Sequence, residues 1–291
     1  MSDAFGTWQL DAVIAVGGLG EVWRAHRGDE VAAIKRLHTH LARNEDARAQ
    51  FAVEQRLTAE LPRHRHLVHA FEAGEVAGRP YIALELIDGE DVRRIVAPAA
   101  TRDDPRPAHA IVPRARAIAF ALAACDAAAH LHAHGYVHGD INPGNLVVEV
   151  EPDGDRAVLI DLGVARPIGQ GGAVRGTHAY MAPEQVRGEA WSRATDVFAI
   201  GVVLWELIAG RRLFHRGPPW LSMAAVIEAD VPALADPALG RAAPTWARPT
   251  IHAPTWARSV RHSDDAPPNP AARTSSVTSV RVTWDNGGSS S

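Results

Sequence analysis

The chain has 291 residues, 46% of them hydrophobic and 22% charged, with a formal net charge of -4 at pH 7. These values allow one large or two modest globular domains, and mild acidity without a basic run argues against a general nucleic-acid binder. The single cysteine, Cys125, excludes an internal disulfide and suits a reducing compartment; on a helix it is expected to pack as a small buried hydrophobe.

The opening MSDAFGTWQLD carries acids and lacks the basic start and apolar run of a leader peptide, which predicts a cytoplasmic protein. Residues 8–34 alternate apolar side chains around Gly17, Gly18 and Gly20, predicting strand, tight turn, strand, and a third strand ends in AAIKRL. Residues 44–61 have helical spacing with Phe51, Leu57 and Leu61 on the buried side, and Pro62 ends the helix. Two strands are expected around 67–72 and 81–86. The second runs into Ile87-Asp88-Gly89.

Residues 97–113 shift to Pro, Arg and Asp and read as a surface loop. An Ala-rich helix follows over 115–134, then strands at 146–150 and 157–160 about the turn EPDGD, then a Gly-rich loop over 163–176. Residues 196–209 predict a strongly apolar helix. Its core, AIGVVLWELIAG, is too short to span a bilayer and is broken by Glu206. A weaker helix is expected over 220–229. Beyond Asp236 the hexapeptide APTWAR occurs twice, starting at Ala243 and Ala253, and Pro, Ser and Thr dominate the rest. Two copies cannot make a solenoid, so this tail is expected to be largely disordered.

Four groups of residues carry chemistry. Glycines between two strands, in Ala15-Val16-Gly17-Gly18-Leu19-Gly20-Glu21-Val22, can offer backbone N–H groups to phosphates, although any hairpin uses glycine too. Lys35 on the next strand and Glu54 on the next helix can pair and aim an ammonium at phosphates, or stand as unrelated surface charges. In VHGDINPGNLVV, Asp140 can take a proton from a hydroxyl and Asn145 can offer an oxygen to a metal ion. Asp161, after an apolar strand, supplies the carboxylate that a hard cation wants. Taken singly, each acid is equally a turn former.

In order, these groups, with H-x-D-x-x-x-x-N, D-x-G, Gly176-Thr-His-Ala-Tyr-Met-Ala-Pro-Glu184 and the Asp196 helix, resemble the eukaryotic-type (Hanks-type) Ser/Thr protein kinases of bacteria. The resemblance covers residues 8–214. It implies an α+β, two-lobed fold: an antiparallel N-lobe sheet with one helix over 8–88, and a mainly helical, incomplete C-lobe over 89–236 before the tail at 237–291. ATP would lie between the lobes, under Ala15, Val16, Gly17, Gly18, Leu19, Gly20 and Val22. Ala33 and Val147 would line the adenine pocket, and Glu85 and Ile87 would offer hinge backbone groups. Lys35, paired with Glu54, would contact phosphates. Asp140 would be the base beside Asn142, Asn145 and Asp161 would hold Mg²⁺, and Thr177 would seat a protein Ser or Thr. The chain would thus be a protein kinase with protein substrates. A nucleotide-binding pseudokinase scaffold and a small-molecule kinase, whose HGDxxPxN loop is similar, are the competing readings.

The sequence departs from this pattern at several points. Ala15 replaces a glycine, which an extended backbone tolerates. Leu162 replaces Phe and keeps an apolar plug. Gly139 stands where the family has an Arg that docks an activation-loop phosphate, and residues 163–176 contain no Ser, Thr or Tyr. Socket and plug are missing together, so any switching is expected not to use phosphorylation of this loop. Asn142 replaces a Lys beside the transferring phosphoryl group, which predicts slow transfer. Glu184 lacks its usual Arg partner, because the APTWAR repeat stands where two further helices would be. His130 and His134 have metal-ligand spacing without a third ligand, and His138 reads as a packed, hydrogen-bonded histidine.

Overall fold

The computed structural model describes residues 3–96, 112–152, 154–172 and 174–234. The loop expected over 97–113 lies, apart from its last two residues, outside the described residues, as do the APTWAR repeat and the 237–291 tail.

The amino-terminal strands are β1 (Asp3–Phe5), β2 (Trp8–Val16), β3 (Gly20–Arg27), β4 (Glu30–Leu37), β5 (Ala70–Val76) and β6 (Arg79–Leu84). They form one antiparallel sheet in the order β1-β2-β3-β4-β6-β5. Between β4 and β5 runs α1 (Glu45–Glu60). Asn44 caps it, its side chain accepting from the Ala47 N–H at 2.8 Å, and Glu45 and Asp46 complement the helix dipole in the first turn. Its buried positions are Ala47, Phe51, Glu54, Leu57 and Thr58, one stripe at helical spacing. That stripe carries a carboxylate into the interior with Phe51 and Leu57. Leu61 is buried as expected.

The pair β5–β6 begins and ends a few residues from the expected positions. Leu67 and Val68 are buried but bridge to Leu159, outside the sheet. The hairpin turn is Ala77-Gly78, both at positive φ (49° and 79°). That turn geometry matches the strand twist, and an alanine in its first position hid it from the sequence.

The second half contains β7 (Gly89–Asp91), α2 (Val92–Val96), α3 (Arg114–Ala133), β8 (Tyr136–Val137), β9 (Leu146–Glu151), β10 (Gly154–Leu159), β11 (Arg166–Pro167), α4 (Pro183–Val186), α5 (Arg193–Ala209) and α6 (Pro219–Glu228). Small sheets β10-β9-β7 and β11-β8 frame its loops. Alanines at 117, 121, 124, 127 and 128 let α3 lie close to α5, whose Ala199, Val202 and Val203 complete the main core. Cys125 sits on α3 but is exposed, because its position falls off that stripe. This corrects the expectation of a buried thiol.

Helix α5 starts at a Ser192 cap and ends at Gly210, which takes left-handed φ (61°) and donates its N–H to the Glu206 carbonyl. Among the described residues, no helix is long and apolar enough to cross a membrane.

Candidate active site

The Gly-rich turn between β2 and β3 closes on itself through Gly17 N–H to Gly20 O at 2.8 Å. Gly20 is fixed by packing: a Cβ there would lie 2.3 Å from the Arg36 carbonyl oxygen. At Gly18 a Cβ would meet nothing within 4 Å, so that glycine is spare room for an approaching ligand. Ala15 pairs with Val22 in the ladder, an extended position that needs no glycine. His38 pins the turn from β4's end, its Nε2 lying 2.8 Å from the Gly17 oxygen. The sequence reading missed that residue.

Lys35 leaves β4 and meets Glu54 of α1, Nζ to Oε1 at 2.5 Å, and Asp161 Oδ1 at 2.6 Å. The Glu54 side chain is almost fully buried, whereas Asp161 keeps 45% of its side chain accessible. Burial works against the Lys35 charge, but the Glu54 and Asp161 carboxylates outweigh it and hold the ammonium protonated above its usual range. Burial, reinforced by Asp161 and opposed by Lys35, draws Glu54 up to about 7. Asp161 is brought down to about 2, because Lys35 and the Gly163 N–H overcome its own desolvation. The cleft therefore holds one fixed cation and one firmly ionised, accessible carboxylate. Asp161 itself has a positive φ of 65°, a strained position for a non-glycine residue and common at functional sites.

Next to this trio lies the loop between β8 and β9. Asp140 accepts from the Thr177 N–H at 2.7 Å on Oδ1 and from Asn145 Nδ2 at 3.2 Å on Oδ2. Desolvation, partly offset by the Thr177 N–H, makes the Asp140 carboxylate more basic than an ordinary aspartate. Asn145 spends its nitrogen on the Asp140 carbonyl (2.9 Å) and carboxylate, which leaves its oxygen as the remaining polar atom. Asn142 is buried. Its two N–H groups go to the Asp140 carbonyl at 3.0 Å and Thr177 Oγ1 at 3.1 Å, and its oxygen accepts from Gly144 N–H. In this conformation the residue at the expected lysine position is a brace for Thr177 and offers the cleft no spare donor.

The catalytic-loop backbone hangs from α5. Asp196, fully buried, accepts from His138 N–H (2.9 Å), Gly139 N–H (2.8 Å) and His132 Nε2 (2.8 Å). Gln185 donates to the Gly139 carbonyl at 2.8 Å. His138 is buried, its Nδ1 accepting from the Asp140 N–H and its Nε2 lying 3.2 Å from the Ile160 oxygen, which matches the packed role expected of it. His132 is thus an anchor partner. Among the described residues no cluster of three or more His, Cys, Asp or Glu could hold a metal ion.

Gly139 has φ 75°, and a Cβ there would lie 2.1 Å from Trp191. Trp191 is buried on that spot, with the Arg166 guanidinium 3.5 Å over its ring. Its backbone clasps the loop after Asp161: Gly169 N–H donates to the Trp191 carbonyl at 2.8 Å, and Trp191 N–H to the Gln170 carbonyl at 3.1 Å. An indole thus holds the loop where the expected arginine would need a phosphate. Glu184 has a partner after all, since Thr195 donates its hydroxyl to Oε1 at 2.7 Å while accepting from the Ser192 N–H. Among the described residues, the partner of Glu184 is therefore a threonine from α5's first turn, in place of the usual arginine.

The apolar wall of the cleft joins Ala33 to Leu84 and Val158, with Leu19, Val22, Ile87 and Ile160 packed at its margin. Val147 is half-buried on β9, opposite Asp91 and Val158. At the hinge, Glu85 N–H goes to the His69 carbonyl and Gly89 N–H to the Ile87 carbonyl. Among the described residues, the Glu85 carbonyl, both backbone groups of Leu86 and the Ile87 N–H make no hydrogen bond there. The Glu85 side chain is held by Arg156 at 2.8 Å, and Arg156 also binds Glu149 at 3.0 Å.

Asp161 and Asn145 present oxygen atoms, the donor type that a hard divalent cation takes. The protein kinase domain family matches residues 8–233. Serine/threonine-protein kinase PknL of Mycobacterium tuberculosis is 33% identical over 231 residues, covering 77% of this chain and 54% of PknL. PknJ of the same organism is 32% identical over 224 residues, covering 73% of this chain and 36% of PknJ. The chain thus spans about a third to a half of the curated relatives it matches. The crystal structure of a point mutant of the M. tuberculosis PknI kinase domain shares the fold at a TM-score of 0.58 and 23% identity, covering 80% of this chain and 82% of that one. Motif order, cleft geometry and these matches agree: the chain belongs to the protein kinase family, among the bacterial Hanks-type serine/threonine kinases.

Proposed function

We propose that this chain transfers the γ-phosphoryl group of ATP to Ser or Thr hydroxyls of protein substrates, using Mg²⁺. The observation that carries this reading is the convergence of Lys35, Glu54 and Asp161 beside Asp140, Asn145 and Thr177 in one cleft. ATP would lie between the strand-rich part (8–88) and the helical part (89–236), its adenine against Ala33 and Val147 and its phosphates under the turn from Ala15 to Val22.

Lys35, kept protonated and aimed by Glu54, binds phosphoryl oxygens. Asp161 and Asn145 would hold the cation, which when bound neutralises charge on the phosphates. Asp140, more basic than usual, orients the acceptor hydroxyl and takes its proton. Thr177, braced by Asn142, fixes the acceptor side of the site. Because no lysine accompanies Asp140, transfer is slow, on the order of a hundredfold or more below a site with that donor. Consumption of ATP fits a cytoplasmic chain.

The test is phosphate transfer from γ-labelled ATP to a protein mixture, with and without Mg²⁺, alongside Asp140→Asn and Asp161→Ala. Incorporation into Ser and Thr that both substitutions abolish supports the reading. Nucleotide binding without transfer would mark a scaffold, and transfer to amino sugars but not to protein would mark a small-molecule kinase.

A further inference from the structure

Beside the Asp140 loop opens a cavity of about 310 Å³, lined by Asn142 and Thr177 together with Arg93, Arg212, His178 and His215. No Asp or Glu lines it among the described residues. Arg93 is fixed at its backbone, its N–H donating to the Pro143 carbonyl at 3.0 Å, while its side chain is 60% accessible. Its carboxylate neighbour, Asp91, lies 3.6 Å away, too long for a strong bond. Arg212 binds the buried Glu206 at 3.0 Å, but that carboxylate is shared with the Tyr180 hydroxyl and the Leu213 N–H. Arg93 lies close enough to Arg212 to lower the latter's proton affinity, second to burial. Two like charges lining one cavity repel each other, and an anion between them relieves that cost.

Resting on the protein kinase reading, we infer that this cavity receives an anionic side chain of the protein substrate, recognised by Arg93 and Arg212. Thr177 lines the cavity and donates its N–H to Asp140 at 2.7 Å, so the acceptor hydroxyl and the anion belong to one short segment. An extended chain advances about 3.3 Å per residue, which puts the anion within about three residues of the acceptor. Asp, Glu and an already phosphorylated residue share the required chemistry.

The experiment uses the whole purified chain and fluorescein-labelled peptides with one Thr acceptor. One peptide is neutral, and the others carry a single Asp, phosphoserine or Lys at each of the flanking positions. Anisotropy gives Kd and initial rates give kcat/KM. At one position Asp should improve binding about tenfold, the gain of one charge-assisted contact, and added salt should weaken that preference. Arg93→Glu, a change at an exposed side chain, should reverse it in favour of Lys. Stronger binding of phosphoserine than of Asp would identify the anion as phosphoryl. Equal affinity for neutral and acidic peptides, or an acidic preference that survives Arg93→Glu, overturns the inference. Transfer without acidic preference sinks the cavity proposal alone, whereas acidic preference without transfer upholds it and sinks the catalytic reading.

Discussion

Gly139 is the most informative single position to perturb. An alanine there must adopt left-handed backbone geometry, at a cost of about 1–2 kcal/mol. Its methyl must also displace a buried indole from 2.1 Å, an overpacking cost of about 1–3 kcal/mol. Gly139→Ala should therefore destabilise the chain by about 2–5 kcal/mol, and Gly139→Arg, which restores the family's usual residue, by more. Removing the indole separates the two costs. In a Trp191→Leu background only the backbone penalty remains, so the double-mutant cycle should show a favourable coupling of about 1–3 kcal/mol. The assay is urea denaturation followed by circular dichroism and by fluorescence, with coincident transitions as the check on two-state behaviour. A coupling below about 0.5 kcal/mol, within ordinary additivity, would refute the claim that Trp191 occupies the side-chain space of residue 139.

Asp196→Ala strands two backbone N–H groups and the His132 imidazole, and should cost at least about 3 kcal/mol in the same denaturation assay. Asn142→Lys should raise kcat on the order of a hundredfold in the labelled-ATP assay while lowering the melting temperature, since the cation comes at the loss of the Thr177 brace. Burial, opposed by the Leu213 N–H, lifts Glu206 from 4.5 to about 7. Its carboxyl therefore binds a proton more tightly folded than unfolded. The stability it contributes is present in full below about pH 4.5 and is lost as pH rises through about 7. Wild type should therefore lose stability across that window, less so to the extent that Arg212 and the Tyr180 hydroxyl hold the ionised form. Glu206→Gln should flatten this part of the stability profile, measured by urea midpoints at successive pH values.

The site's skeleton was legible because chemistry fixes residue type and order. Lys35, Glu54, Asp140, Asn145 and Asp161 stood out as polar residues at motif spacing, and they meet in space. Long elements with strong periodicity were equally readable: Asn44, Phe51 and Leu57 marked α1, and the apolar run after Asp196 marked α5. What escaped depended on contacts between distant segments. Nothing around Trp191 tells a reader that its ring abuts Gly139, so a packing replacement looked like a missing charge. Thr195 as the partner of Glu184 was hidden in the same way, since an arginine was sought and a helix-capping hydroxyl serves. One signal did exist for the loop's anchor: Asp196 introduces a strongly apolar helix, and a carboxylate taken into a core needs donors waiting for it.

The bond from Lys35 to Glu54 is already made, with α1 seated against the sheet. No helix has to swing inward before nucleotide can be gripped, so capture should be a single encounter without a slow isomerisation. Rapid mixing with a fluorescent ATP analogue would then give an observed rate that climbs in proportion to concentration and never levels off. A rate that levels off at high concentration would show that the Lys35–Glu54 contact has to form again before nucleotide is held.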